Sequence, residues 1–165
     1  MRDIHILVIN PNSTASMTQK IAAAARAAAG PFSRITAINP LEGPAAIQGP
    51  ADGEAALPGL FDLFERSLKT DPSISAVIIA CFDDTGLWEL KAKSRVPVVG
   101  IGEAAYHVAS VAAERFSVVT TLSVSVPVLE ENLQRTGLAA RCVRVRASDV
   151  PVLELENPES DARHK

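Results

Sequence analysis

The stretch AVIIACFDDTGLW, residues 76–88, places an apolar run directly before a cysteine, two aspartates and a glycine. An unbroken apolar run of this length is typical of a strand that is covered on both faces of a sheet. The cysteine, Cys81, falls at the carboxyl end of the run, whereas a packing residue would more naturally lie inside it. In open parallel sheets, ligands bind outside the carboxyl ends of the strands. The stretch therefore predicts a parallel sheet with a functional position at its edge.

Strand-like and helix-like segments alternate along the whole chain. Short β-branched runs predict the strands, and Ala-rich or amphipathic stretches between them predict the helices. The predicted strands are 4–10, 34–39, 75–81, 96–101, 116–121 and 141–147, and the predicted helices are 14–29, 53–69, 85–93, 103–114 and 126–136. This alternation is typical of an α/β fold with a mostly parallel sheet and right-handed crossovers.

Local signals refine this outline. Ser13 or Thr14 is expected to cap the first helix, and Asp83 or Asp84 the third. The Gly- and Pro-rich segment 39–59 predicts a long loop, and loops of such length are often functional. The polar end of the chain is typical of the entry to a sixth helix.

Composition and charge narrow the classes of function. The 165 residues carry a formal net charge of −3 and no block of Lys or Arg, which argues against nucleic-acid and membrane partners. The sequence has no run of 18 apolar residues, and its first residues lack the pattern of a signal peptide. Its two cysteines and three histidines show neither a disulfide framework nor a metal-binding spacing. We therefore expect a cytoplasmic protein without a metal.

Small polar side chains collect where the predicted strands end. The segments are NPNST (10–14), CFDDTG (81–86), GIGEA (100–104) and TTLSV (120–124). Their hydroxyl, amide and thiol groups lie beside predicted helix N-termini, which favours a small anionic or amide-bearing ligand. None of the segments contains Lys, Arg or His, so a polyphosphate ligand is not expected. GIGEAA (100–105) has the outline of a dinucleotide-binding loop, but the next strand ends without the acidic residue that would hold the ribose.

Cys81 is the residue in these segments that is able to act as a nucleophile or a base. A free thiol has a pKa of about 8.5, which a helix N-terminus lowers and neighbouring carboxylates raise. Both influences are present, so the sequence does not decide the net direction. Burial as a packing residue explains Cys81 equally well, because free cysteine is among the most buried residue types. Cys142, within the strand-like RCVRVRA (141–147), is expected to pack in the sheet.

Four motifs in chain order resemble the aspartate/glutamate/hydantoin racemase superfamily, most closely its hydantoin and allantoin racemase branch. They are INPNST (9–14), ACFDDTGL (80–87), PVVGIGEAA (97–105) and FSVVTT (116–121). The resemblance implies two pseudo-symmetric, flavodoxin-like α/β halves with the active site in the cleft between them. Here the first half would be residues 1–97 and an incomplete second half residues 98–165. It also implies a small-molecule substrate, such as a hydantoin, and catalysis without a metal or pyridoxal phosphate.

The resemblance further implies a mechanism with two cysteines that face each other across the substrate. One thiolate removes the proton from the stereogenic carbon, and the opposite thiol returns a proton to the other face. Cys81 matches the first of these cysteines and is the expected catalytic residue. The expected substrate-binding residues are Asn12, Ser13, Thr14, Asp83, Thr85, Thr120 and Thr121.

One departure from the family pattern bears on activity. In the family, the second cysteine comes from a GC loop that would lie beyond position 165, and Cys142 does not match that position. The sequence therefore resembles a C-terminally truncated racemase, and we expect the chain as given to be a poor racemase or none.

Other functions stay open at this stage. The same fold would serve an amino-acid racemase, a malonate decarboxylase or a maleate isomerase. A catalytically silent ligand-binding module is an alternative of a different class. Families of this kind tend to form homo-oligomers, although this sequence shows no interface signature.

Overall fold

A computed structural model describes residues 4–157 and 159–164. The strands are β1 Ile4–Ile9, β2 Ser33–Ile38, β3 Ile74–Ile79, β4 Val98–Gly100, β5 Phe116–Thr120 and β6 Cys142–Ala147. The α-helices are α1 Ala15–Ala28, α2 Pro50–Thr70, α3 Leu87–Lys93, α4 Ile101–Ala112, α5 Val126–Arg135 and α6 Val152–Glu156. Short 3₁₀ turns lie at Ser123–Ser125, Ala139–Arg141 and Asp161–His164. Each predicted strand and helix is present, with bounds moved by a few residues.

The strands form two parallel sheets. The first has the order β2-β1-β3-β4, and the second pairs β5 with β6. In the first sheet β2 lies on one side of β1, and β3 and β4 follow on the other side. This strand order is the start of a flavodoxin-like arrangement. The predicted parallel α/β fold is thus confirmed. The division of the chain at residue 97 stays a prediction. Because β4 pairs with β3, a division by sheet membership would instead fall after Gly100.

Each sheet has its own apolar core. Helix α2 covers the first sheet with Ala56, Leu60, Phe64 and Leu68, which recur every fourth residue and so lie on one helix face. The three larger side chains pack in one cluster with strand residues such as Val77, and Leu60 and Val77 are fully buried. Full burial of such a side chain stabilises the fold by about 1.5–3 kcal/mol. The second core is smaller and contains Tyr106, Val118, Leu129 and Leu133. None of the helices in the described residues combines the length and the hydrophobicity that crossing a bilayer requires.

The structure corrects two local predictions and agrees with a third. The loop predicted for 39–59 ends early, because α2 begins at Pro50, whose ring suits the first turn of a helix. Neither Ser13 nor Thr14 caps α1 through its side chain. Instead, the side-chain oxygen of Asn12 accepts the backbone N–H of Thr14 at 2.9 Å. The expected sixth helix is present as the short α6.

Candidate active site

The carboxyl ends of strands from both sheets meet around one cavity of about 430 Å³. Strands β1 and β3 reach it from the first sheet, and β5 and the residue after β6 reach it from the second. Its polar lining consists of Asn10, Asn12, Cys81, Asp83, Thr120, Thr121 and Ser148, and its apolar lining of Met17, Ile47, Ala80, Phe82, Val119 and Val152. This is the edge of a parallel sheet at which ligands bind. In the part of the chain that the structure describes, no Lys, Arg or His lines the cavity.

The structure separates the predicted site residues into two groups. Asn12, Cys81, Asp83, Thr120 and Thr121 line the cavity. The other three, Ser13, Thr14 and Thr85, have their hydroxyl groups engaged elsewhere. Ser13 donates to the carbonyl oxygen of Gly43 at 3.1 Å, and Thr14 donates to that of Ala45 at 2.6 Å. These two hydroxyls therefore hold the loop after β2 in place. Thr85 is buried beside Cys81, with its Oγ1 3.5 Å from the Cys81 Sγ.

Asn10 is a cavity residue that the sequence analysis did not single out. It lies within the NPNST segment, but the prediction assigned it to the strand. Its side-chain amide donates to the Asn12 Oδ1 at 2.8 Å and to the Thr18 Oγ1 at 3.0 Å. The first of these bonds orients the amide of Asn12 at the cavity wall. Its position at the carboxyl end of a strand could have indicated a cavity residue, because a polar side chain at that place is rarely needed for packing.

Two apolar cavity residues, Ile47 and Val152, come from segments that are far apart in the sequence. The backbone N–H of Val152 donates to the Gln48 Oε1 at 3.0 Å. An ion pair of 2.8 Å between Lys20 and Glu156 also holds the C-terminal segment against α1. Local sequence patterns do not predict contacts between such distant segments. Ile47 and Val152 were therefore not predicted as cavity residues.

The environment of Cys81 decides the direction that the sequence left open. Burial, the largest cause, and the carboxylate of Asp83 raise the pKa of the thiol, which comes to about 11. Hydrogen bonds from the turn that follows, above all from the Thr85 hydroxyl, oppose this rise but do not cancel it. At neutral pH the thiol is therefore protonated in this structure.

Asp83 connects the cysteine turn to the second sheet. Its Oδ2 accepts the hydroxyl of Ser125 at 2.9 Å, and its backbone carbonyl accepts the side-chain amide of Asn132 at 2.8 Å. The indole N–H of Trp88 donates to the same Asn132 side chain at 3.3 Å. Burial raises the pKa of the Asp83 carboxyl, and the hydrogen bond from Ser125 lowers it. Asp83 thus faces the cavity and also joins its two walls.

Asp84 caps a different helix from the one that we predicted. Its carboxyl oxygens accept the backbone N–H groups of Gly102 at 3.0 Å and Glu103 at 2.7 Å, at the start of α4. Gly100 and Gly102 make room for it, since a Cβ on Gly100 would lie 2.0 Å from the Asp84 Oδ1. The helix N-terminus of the GIGEAA segment is therefore occupied by the protein's own carboxyl group. This is the position that a dinucleotide phosphate would need.

Replacing Asp83 by Asn is expected to make Cys81 more reactive. The change removes the nearby charge that raises the thiol pKa, while an amide oxygen remains to accept the Ser125 hydroxyl. We expect alkylation of Cys81 by iodoacetamide at pH 8 to be about threefold to tenfold faster. The measurement uses a Cys142→Ala background, with Asp62→Asn as the control, because Asp62 is exposed on α2 and pairs with Arg66. An unchanged or slower rate in the folded Asp83→Asn protein would contradict the expectation.

Comparison with known proteins places these features in a family. The sequence profile of the Asp/Glu/hydantoin racemase family matches residues 6–165. The hydantoin racemase of Rhizobium meliloti is 42% identical over 153 residues, which cover 93% of this chain and 63% of that protein. The hydantoin racemase of Pseudomonas sp. (strain NS671) is 36% identical over 156 residues, which cover 94% of this chain and 62% of that protein.

Solved structures agree with the sequence comparison. The allantoin racemase from Klebsiella pneumoniae matches with a TM-score of 0.92 and 37% identity, over 98% of this chain and 65% of that one. The allantoin racemase from Pseudomonas fluorescens matches with a TM-score of 0.85 and 40% identity, over 93% of this chain and 64% of that one. The chain thus spans just under two thirds of the length of these four proteins. Since profile, sequence and fold agree over nearly all of its residues, the chain belongs to the Asp/Glu/hydantoin racemase family.

Proposed function

We propose that the protein acts as a racemase that interconverts the enantiomers of 5-substituted hydantoins or of allantoin. Catalysis needs neither a metal nor an organic cofactor, and Cys81 is one of the two thiol groups that move the proton. The observation that carries the proposal is the thiol of Cys81 at the wall of a cavity whose other polar groups are mainly neutral amides and hydroxyls. Membership of the racemase family supports the reaction class.

The cavity lining favours a hydantoin-like ring over a free amino acid. The carboxylate of an amino acid calls for a cationic partner, and the described residues that line the cavity include none. The ring N–H and C=O groups of a hydantoin are neutral donors and acceptors, which Asn12, Thr120 and Thr121 are able to complement. The apolar residues Met17, Ile47 and Val152 offer a wall for a substituent on the ring carbon.

The proposed chemistry is proton exchange at the stereogenic carbon. The Cys81 thiolate takes the proton, the C–H electron pair passes into the adjacent carbonyl, and the resulting enolate oxygen is stabilised by amide and hydroxyl donors of the cavity. In the opposite direction, the protonated Cys81 thiol delivers the proton. Its raised pKa of about 11 suits this acid role in the resting state. Cys142 does not line the cavity, so among the described cysteines only Cys81 lies at the proposed reaction site.

The remaining parts of the proposal concern the setting of the protein. We place it in the cytoplasm, with a small molecule as its partner and without nucleic-acid or membrane binding, as its charge and composition favour. A homo-oligomer is compatible with this function, and size-exclusion chromatography with light scattering would measure its state.

The test is hydrogen exchange at the substrate carbon. Each enantiomer of a 5-substituted hydantoin is incubated with the chain in D₂O, while proton NMR follows deuterium uptake and polarimetry follows inversion. Uptake above the spontaneous rate from either enantiomer supports the proposal, and inversion shows that a second acid takes part. Uptake from one enantiomer alone shows Cys81 working on one face. If neither a hydantoin nor allantoin exchanges above the spontaneous rate, the proposal is wrong and a silent binding module is favoured.

A further inference from the structure

The turn that follows Cys81 folds back around its sulfur atom. The Thr85 Oγ1 lies 3.5 Å from the Cys81 Sγ, at a distance where either atom is able to donate. The backbone of Asp83 and Thr85 in this turn also lowers the pKa of the thiol. The side chain four residues after the cysteine thus reaches back to the sulfur.

This turn is held in place from outside. Asp84 adopts a left-handed backbone conformation with φ of 51°, which side chains other than glycine adopt infrequently. Its carboxyl group is fixed by the two backbone N–H groups at the start of α4, and the carbonyl of Asp83 is fixed by Asn132. The Thr85 hydroxyl beside the sulfur is therefore positioned before any substrate arrives. Pre-positioned donors are the arrangement that stabilises a developing charge most effectively.

Thr85 has no visible role at the cavity surface. Its side chain is 8% exposed and does not line the cavity, although the sequence analysis expected it to bind substrate. Its Oγ1 lies within hydrogen-bonding distance of the Cys81 sulfur. The charged group that acts on the thiol is the Asp83 carboxylate, which opposes its ionisation. The amides of Asn10 and Asn12, which line the same cavity, are neutral.

We propose that Thr85 is the positioning residue of the Cys81 thiolate: its hydroxyl donates to the sulfur when Cys81 is ionised and holds the sulfur towards the cavity. The proposal rests on the proposed function of Cys81, and it adds the group that offsets the charge of Asp83. When the thiolate takes the substrate proton, an S–H bond forms and the C–H electron pair stays on the substrate. The Thr85 hydroxyl then rotates from donor to acceptor, so the step consumes no other reactant.

The test compares three side chains at position 85 in a Cys142→Ala background. Thr85→Val keeps the shape but removes the hydroxyl, and Thr85→Ser keeps the hydroxyl. We measure the rate of Cys81 alkylation by iodoacetamide from pH 7 to 9.5, with circular dichroism as the check of folding. We expect the rate of Thr85→Val at a given pH to be about threefold to tenfold lower, because less thiolate is present. Thr85→Ser should react at nearly the rate of the unchanged protein.

The outcomes separate this proposal from the proposed function. Alkylation needs no substrate, so its result stands even if the hydantoin exchange fails. A folded Thr85→Val protein that reacts at the unchanged rate overturns the proposal. A Thr85→Ser protein that is as slow as Thr85→Val also overturns it, because the effect would then come from packing of the methyl group.

Discussion

The replacement of Cys81 by Ser is expected to lower the rate of deuterium uptake into a hydantoin by about 10²–10⁴-fold, the range that positioned acid–base groups contribute. A hydroxyl is a much weaker acid than a thiol, so the serine does not form the anion that removes the substrate proton. The substitution is otherwise small, because serine differs from cysteine by a single atom. Initial rates for each enantiomer, measured by proton NMR in D₂O, give the result directly.

Cys142→Ser provides the matched control for this experiment. Cys142 is half-buried at the start of β6 and packs against the smaller core, away from the cavity. We expect this variant to exchange at an unchanged rate. If Cys81→Ser retains the full rate, the base lies elsewhere in the cavity and the assignment of Cys81 is wrong. A loss of exchange in a folded Cys142→Ser protein would equally contradict the assignment.

Much of the fold follows from the periodicity of the sequence. The apolar runs and the amphipathic helices have local causes, namely burial on both faces of a sheet and one buried helix face. The pairing of strands does not have a local cause. The short run at Val98–Gly100 carries nothing that says whether it joins the first sheet or begins the second, and only its contact with β3 decides this. The Gly and Pro residues of 39–59 predict a loop, but proline also suits a first helical turn, and α2 begins at Pro50.

The candidate site divides in the same way. Cys81, Asn12, Thr120 and Thr121 were found because a parallel sheet brings the carboxyl ends of its strands together. The roles of Ser13 and Asp84 were not found, because a hydroxyl or carboxyl group binds whichever donor or acceptor the tertiary fold brings near. Ser13 reaches the carbonyl oxygen of a residue 30 positions later, and Asp84 reaches a helix 18 positions later. Such choices depend on the packing of whole segments.

Asp84 also provides a prediction about stability. Burial is the largest influence on this carboxyl and raises its pKa from 3.8 to about 7, against the lowering effect of the Glu103 and Gly102 N–H groups. In the unfolded chain the carboxyl loses its proton near pH 3.8, whereas in the folded protein it keeps the proton until about pH 7. The unfolded state therefore binds fewer protons between these values, and the free energy of unfolding falls as the pH rises through this range.

Asp84→Asn is expected to remove this pH dependence. The asparagine cannot ionise, and its side-chain oxygen still accepts one of the two N–H groups at the start of α4. In the unchanged protein, folding raises the pKa of Asp84 from 3.8 to about 7. The stability of the variant relative to the unchanged protein should therefore increase by roughly 2–3 kcal/mol as the pH rises from 5 to 8. The measurement is urea unfolding of both proteins at each pH, with Asp62→Asn as the exposed control. Taking the difference between the two proteins cancels the opposing titration of His5, whose pKa burial lowers, because both proteins contain it. A difference that stays constant from pH 5 to pH 8 would show that Asp84 is ionised throughout this range, and that the N–H groups of α4 outweigh the cost of burying its charge.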